Sequence, residues 1–261
     1  MSVRVIDLSF SYGSREILHN ISFQIKKRNL VCLLGPNGVG KSTLFRNILG
    51  ILSGYKGTIL VNEQNTEGLS IEQMAKLIAY IPQSHETTFN FSVFDMVLMG
   101  TTSQTSLISI PGKKQRELVE AALERLGIGH LKNRGFAQIS GGERQLTLIA
   151  RALVQQTKVL IMDEPTANLD YGNQIRVLEQ VKSLTEDGYT IIQATHQPDQ
   201  AFLFADEVLA LKDGKILAQG SPKEIITTDF INTLYDVTVD VQSLYDDQMR
   251  VCVPVTALRK R

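Results

Sequence analysis

Apolar and polar residues alternate along Val3-Arg4-Val5-Ile6-Asp7-Leu8, along Ile21-Ser22-Phe23-Gln24-Ile25 and again along Thr58-Ile59-Leu60-Val61. A period of two turns one face of each segment to a core and the other to water, which predicts antiparallel strands of a side sheet. Leu30-Val31-Cys32-Leu33-Leu34, Val159-Leu160-Ile161-Met162 and Tyr189-Thr190-Ile191-Ile192 lack that alternation. Short, nearly continuous apolar runs read as parallel strands covered on both faces, and a helix over Gln174 to Thr185 is expected to separate the last two. Between Lys113 and Leu126, the positions Leu118, Val119, Ala122 and Leu126 share one face of an exposed amphipathic helix. Ser221-Pro222-Lys223-Glu224 has an N-cap, a proline at the first helical position and a glutamate able to reach back, so another helix begins there. Alternation returns in Val237-Thr238-Val239-Asp240-Val241 and Val251-Cys252-Val253, predicting a small terminal strand pair.

The 261 residues are 43% hydrophobic, enough for a large core, and 27 basic residues balance 27 acidic ones. Without a global positive field, nucleic acid is not an expected partner. The least polar uncharged stretch, Met96 to Pro111, is shorter than a bilayer span and rich in serine and threonine, so no transmembrane helix is expected. The opening MSVRVIDLSF carries Arg4 and Asp7 within its apolar run, which does not suit a secretory leader. Cys32 and Cys252 both lie in apolar stretches and read as small buried hydrophobes rather than a disulfide or metal pair.

Chemistry enters at Gly35-Pro36-Asn37-Gly38-Val39-Gly40-Lys41-Ser42-Thr43, which follows the apolar run ending at Leu34. Glycines at a strand-to-helix turn let successive backbone N–H groups converge on an anion, and the helix opening at Lys41 adds the positive end of its dipole. A nucleoside triphosphate fits such a cradle, with Lys41 reaching the β- and γ-phosphates and the Ser42 hydroxyl on Mg²⁺. Val159 to Pro165 delivers two carboxylates to the end of a buried strand, where doubly wound sheets present their reactive groups. Asp163 is expected to hold the hydrated Mg²⁺ and Glu164 to accept a proton from the attacking water; a solvated acidic turn is the plainer alternative. Ile139-Ser140-Gly141-Gly142-Glu143-Arg144-Gln145 precedes an apolar helix and forms either a second anion-binding helix start or an ordinary serine cap. One nucleotide needs one cradle, so the second would serve the nucleotide of a partner subunit.

Taken together, the phosphate loop, Ser140-Gly141-Gly142-Glu143, the run Val159 to Glu164 and a histidine beyond the next strand resemble the nucleotide-binding subunit of ABC transporters. The likeness runs from Tyr12 to about Gly220. It implies an α/β P-loop NTPase of the ABC ATPase fold, with a mostly parallel core sheet, an antiparallel β side sheet and a helical subdomain. The whole of 1–261 would then be one domain, with the helical subdomain inside about 85–157 and a C-terminal extension over about 229–261. The resemblance also implies ATP and Mg²⁺ as ligands and a head-to-tail homodimer in which Ser140 and Gly142 touch the γ-phosphate held by the other copy. Tyr12 would stack on adenine. Gln83 would ligate Mg²⁺ and report nucleotide state, while His196 would contact the γ-phosphate and orient the water. Through Asn168-Leu169-Asp170, each copy would sense its partner.

Ile139 and Glu143 depart from the family's commoner leucine and glutamine, and Gln197-Pro198-Asp199-Gln200 is an unusual sequence for the segment after the histidine. Phe91 to Gly100, followed by a polar insertion, is similar to the branch that imports metal chelates such as iron-siderophores, haem or cobalamin, with some relatives taking molybdate or tungstate. That branch implies an integral membrane permease, a substrate-binding protein outside the cytoplasm, and a peripheral location on the cytoplasmic face of the cell membrane. Phe89, Phe91 and Phe94 either line the permease groove or belong to the core. A soluble ABC-type ATPase acting as a mechanical clamp is the alternative of another class, although neither a second cassette nor a coiled-coil or zinc insertion is present. A P-loop kinase or GTPase would need no Ser-Gly-Gly helix and usually carries NKxD, which is absent.

Overall fold

The computed structural model describes residues 2–83, 91–104 and 111–255. Strands β1 (Val3–Tyr12), β2 (Arg15–Ile25) and β3 (Leu30–Leu34) lead to helix α1 (Lys41–Ile48). After β4 (Lys56–Val61) and β5 (Gln64–Asn65) come α2 (Ile71–Ala75) and β6 (Ile78–Ile81). Among the described residues, only helices then follow: α3 (Val93–Leu98), α4 (Lys113–Arg125) and α5 (Gly141–Leu153), apart from short 3₁₀ turns and one isolated bridge between Ser92 and Gly135. The chain returns through β7 (Val159–Asp163), α6 (Tyr171–Ser183), β8 (Thr190–Thr195) and α7 (Pro198–Phe204) to β9 (Glu207–Lys212) and β10 (Lys215–Gly220). It finishes with α8 (Pro222–Ile225), α9 (Thr228–Tyr235) and the hairpin β11 (Val239–Leu244) and β12 (Met249–Pro254).

Two sheets carry the fold, and their order explains the sequence pattern. The side sheet runs β2-β1-β4-β5 and is antiparallel throughout, so its strands alternate. The main sheet runs β10-β9-β3-β8-β7-β6; every pair in it is parallel except β9 with β10. Its central strands feed two layers at once. Leu160 and Met162 of β7 pack with the helices, whereas Val159 and Ile161 pack against the side sheet. Val31 and Leu33 of β3 join that second layer, and Cys32 and Leu34 join a third cluster beneath α7, α8 and α9. Burial on both faces is why these strands are apolar without a break. Each fully buried Leu, Ile or Val contributes about 1.5–3 kcal/mol, so the strands that form the core also fix the positions of their C-terminal ends rigidly.

The expected elements are present, with shifted bounds. Helix α6 starts at Tyr171 rather than Gln174, and β8 starts at Thr190 rather than Tyr189. On α4, Val119, Ala122 and Leu126 are buried as expected, and Leu123 joins them while Leu118 is only partly covered. Ser221 and Glu224 form the reciprocal capping box that starts α8. Cys32 is fully buried, but Cys252 is half-buried against the third cluster; both are free thiols. Phe91 and Phe94 are half-buried and packed on the helical core, which favours their core reading, and Phe89 lies outside the described residues. No helix among the described residues is long and apolar enough to cross a membrane.

Candidate nucleotide-binding and catalytic site

Strand β3 ends at Leu34 on the same edge of the sheet as β7 ends at Asp163, because β3 and β7 flank β8 in a continuous parallel array. Between β3 and α1 the backbone turns through two left-handed glycines, Gly38 with φ 82° and Gly40 with φ 110°. A side chain at Gly40 would also crowd Leu18, whose Cδ2 would lie 3.0 Å from the added carbon. Gly40 caps α1 without any side-chain acceptor, so the first N–H groups of the helix have no side-chain partner. In α5 and α6, by contrast, Ser140 and Asp170 accept such bonds. A cavity of about 450 Å³ opens at this turn, lined by Asn37, Gly38, Gly40, Lys41, Ser42 and Thr43 and by Gln83, Asp163 and Glu164. Uncapped helix N–H groups facing a cavity suit a polyphosphate.

Lys41 is 6% exposed; its Nζ donates to the carbonyls of Gly35 at 2.7 Å and Pro36 at 2.9 Å. Burial pushes its pKa down, and the nearby carboxylates of Glu164 and Asp163 partly oppose that. Asp163, also buried, accepts a bond from the Ser42 hydroxyl. Burial is the largest influence on its carboxyl and raises the pKa, with the Ser42 bond and Lys41 pulling the other way. Glu164, the first residue past β7, adopts a left-handed backbone with φ 47°. Its Oε2 accepts from Gln83 Nε2 at 3.0 Å, while Oε1 lies 3.4 Å from His196 Nδ1 and 3.7 Å from Lys41 Nζ. Three distant chain segments thus meet on one carboxylate. Ser42, Gln83 and Asp163 offer hydroxyl, amide and carboxylate oxygens around the cavity, a hard-donor set that fits Mg²⁺.

Sequence reasoning missed Arg15 and Ile17, which also line the cavity. They alternate on β2 and therefore share one face of it, immediately after the hairpin that pairs Tyr12 with Arg15. Tyr12 itself is 45% exposed and packs edge-on against Phe10 with ring centroids 5.0 Å apart; it does not line the cavity.

The Ser140 segment lies apart from this cavity's lining. Ser140 Oγ accepts from the Glu143 N–H at 3.3 Å, and Glu143 Oε2 accepts from the Ser140 N–H at 2.7 Å. The Glu143 carboxylate is therefore engaged within its own helix, and these bonds hold its pKa below the usual range. A side chain at Gly142 would meet Asn173 Oδ1 at 2.6 Å, so this glycine lets the start of α5 approach the start of α6. Asn173 is in turn fixed by Asp170, which accepts from its backbone N–H at 2.9 Å and its Nδ2 at 2.6 Å. Asp170 is thus a helix cap, and the two loops at the starts of α5 and α6 are locked side by side.

Comparison with known proteins agrees with this geometry. The family model described as ABC transporter matches residues 18–167. A Haemophilus influenzae protein named "Uncharacterized ABC transporter ATP-binding protein" is 39% identical over 235 residues, covering 90% of this chain and 89% of the relative. A Helicobacter pylori relative named "Probable iron chelatin transport ATP-binding protein" is 36% identical over 253 residues, covering 96% of this chain and 99% of its own. Among solved structures, a chain assigned to a metal-chelate type ABC transporter in an inward-facing conformation superposes with a TM-score of 0.88 at 31% identity, covering 98% of both chains.

The raised pKa of Asp163 has a consequence for stability. The folded state holds the proton more tightly than the unfolded chain does. The penalty for ionising the buried carboxylate therefore sets in as pH rises above the ordinary value of 3.8 and is complete above the folded value. At neutral pH the chain carries that penalty. Replacing Asp163 with Asn should accordingly raise the thermal midpoint of the nucleotide-free protein by about 2 °C or more. A lowered midpoint in calorimetry would contradict burial as the dominant influence.

Proposed function

This chain belongs to the ABC transporter ATP-binding family and is an ATPase; from that premise we propose that it powers import of a metal chelate through a separate, dimeric membrane permease. In this reading the protein works as a homodimer at the cytoplasmic face of the cell membrane, and an extracytoplasmic binding protein delivers the cargo to the permease. The observation that carries the proposal is the meeting of Lys41, Gln83 and His196 on the Glu164 carboxylate at the mouth of the phosphate-loop cavity. The cargo class is supported by the Helicobacter pylori relative's name and by the metal-chelate type of the solved transporter.

Tyr12 stacks on the adenine of ATP, and the N–H groups of Gly38 to Thr43 with Lys41 bind its phosphates. Ser42, Gln83 and Asp163 would hold Mg²⁺, which when bound neutralises charge on the β- and γ-phosphates. Glu164 accepts the proton of the attacking water, and His196 orients that water against the γ-phosphate. Ser140 and Gly142 of a second copy close over the same phosphate from the far side, and the Asn168–Asp170 loop, locked to the start of α5, carries the state of one site to the other. Gln83 carries it to the permease. The strand that precedes Gln83, β6, borders an apolar groove of about 300 Å³ lined by Leu49, Ile51, Ile71, Met74, Ile78 and Tyr80. Ile51 and Ile71 are 61% and 85% exposed there, an apolar surface suited to a segment of the permease.

Two variants test the reading. Glu164→Gln should bind ATP and accumulate a stable ATP-bound dimer while steady-state hydrolysis falls by about 100-fold or more; unchanged hydrolysis would contradict the role of Glu164. Ile51→Asp should keep basal hydrolysis but lose about tenfold in co-sedimentation with permease-containing membranes. Equal co-sedimentation of this variant and the parent, or sedimentation of the parent with membranes that lack the permease, would remove the docking assignment.

A further inference from the structure

His196 sits between the end of β8 and the start of α7, and its imidazole is half exposed, so side-chain packing alone does little to hold the ring. Its backbone is held from another direction. The hydroxyl of Tyr235, at the end of α9, donates to the His196 carbonyl at 3.0 Å. Nearby, the backbone N–H of Cys252 in β12 donates to Asp199 Oδ1 at 3.1 Å, and the Arg250 guanidinium lies 5.1 Å from the centre of the Phe202 ring. The C-terminal segment therefore grips residues 196–202 at three points: a carbonyl, a carboxylate and an aromatic face.

Tyr235 is itself fixed. Its ring packs against the third core cluster. Asp236, the next residue, takes the left-handed backbone that ends α9 and accepts a bond from Lys212 Nζ at 2.7 Å, which ties the helix end to β9. Asn232, one turn earlier, accepts from the Val239 N–H at 2.7 Å and so ties α9 to the hairpin. Burial pushes the phenol pKa up, so the hydroxyl remains a donor through the neutral range. A rigidly held donor is thus aimed at the backbone of the residue whose imidazole faces Glu164.

We propose that Tyr235 is a positioning residue for ATP hydrolysis: by holding the His196 carbonyl, its hydroxyl sets the approach of the imidazole to Glu164 and to the γ-phosphate. The proposal rests on the role given to His196 above. It assigns the C-terminal segment a task that lies outside the phosphate-loop machinery, since α9, far along the chain from the phosphate loop, orients a side chain of the reaction centre.

The test uses the full-length protein with Tyr235→Phe, which removes one oxygen and keeps the packed ring. ATP turnover should show kcat lowered about fivefold, with KM for ATP changed by less than about twofold, as expected for one lost hydrogen bond acting through orientation. In a His196→Ala background the same substitution should cause no further loss, because the group it orients is gone. Full kcat in Tyr235→Phe alongside a strongly lowered but measurable kcat in His196→Ala would overturn the positioning role and leave the reading of His196 intact. An equal proportional loss in both backgrounds would also overturn it, since the hydroxyl would then act elsewhere. Full turnover in His196→Ala would instead refute the role of His196 and, with it, the proposal.

Discussion

The carboxylate of Glu164 is the point on which the rest of the reaction centre depends. It follows Asp163 directly, so two acidic groups crowd the end of one strand, and the Glu164 charge adds to the cost that burial sets on ionising Asp163. Lys41, 3.7 Å from Glu164, and Arg46 offset part of that cost at Asp163. The left-handed backbone at Glu164 accompanies the meeting of its side chain with Gln83, His196 and Lys41, which come from three separate chain segments. Such a conformation is costly outside glycine, and it persists because the neighbouring strands over-determine it.

That over-determination comes from the sheet. The phosphate loop and the acidic pair hang from β3 and β7, both packed on two faces, so neither can slide without disrupting two core layers together. His196 follows β8, which lies between those strands and pairs with both. The rigid scaffold therefore presents four loops along one edge, and the loops are free to carry chemistry because the strands carry the stability.

How much of this could be read in the sequence follows from the distance over which each feature is encoded. The phosphate loop and the acidic strand end are local: covalent spacing fixes their geometry, and their apolar flanks announce the strands. Helix starts at Ser140 and Ser221 were legible for the same reason. Arg15 and Ile17 were not, because only the hairpin register brings them over the phosphate loop. The reciprocal bonds that tie Glu143 to its own helix start needed the folded backbone to be seen. The choice between groove and core for Phe91 and Phe94, and the grip of Tyr235 on His196, depend on tertiary approach across many residues, which one chain's pattern does not decide.

The loops at the starts of α5 and α6 are locked to each other and lie outside the lining of the phosphate-loop cavity, so in the proposed dimer they complete the site of another copy. Complementation between two inactive chains tests this most directly. Lys41→Ala disables the phosphate loop. Ser140→Asp keeps a good helix cap but sets a negative charge against the partner's γ-phosphate. Each variant alone should fail to hydrolyse ATP, whereas a mixture should regain activity, because one of the two sites in a mixed dimer then has an intact loop facing an intact Ser140. A mixture as inactive as its components would contradict a reaction centre shared between copies.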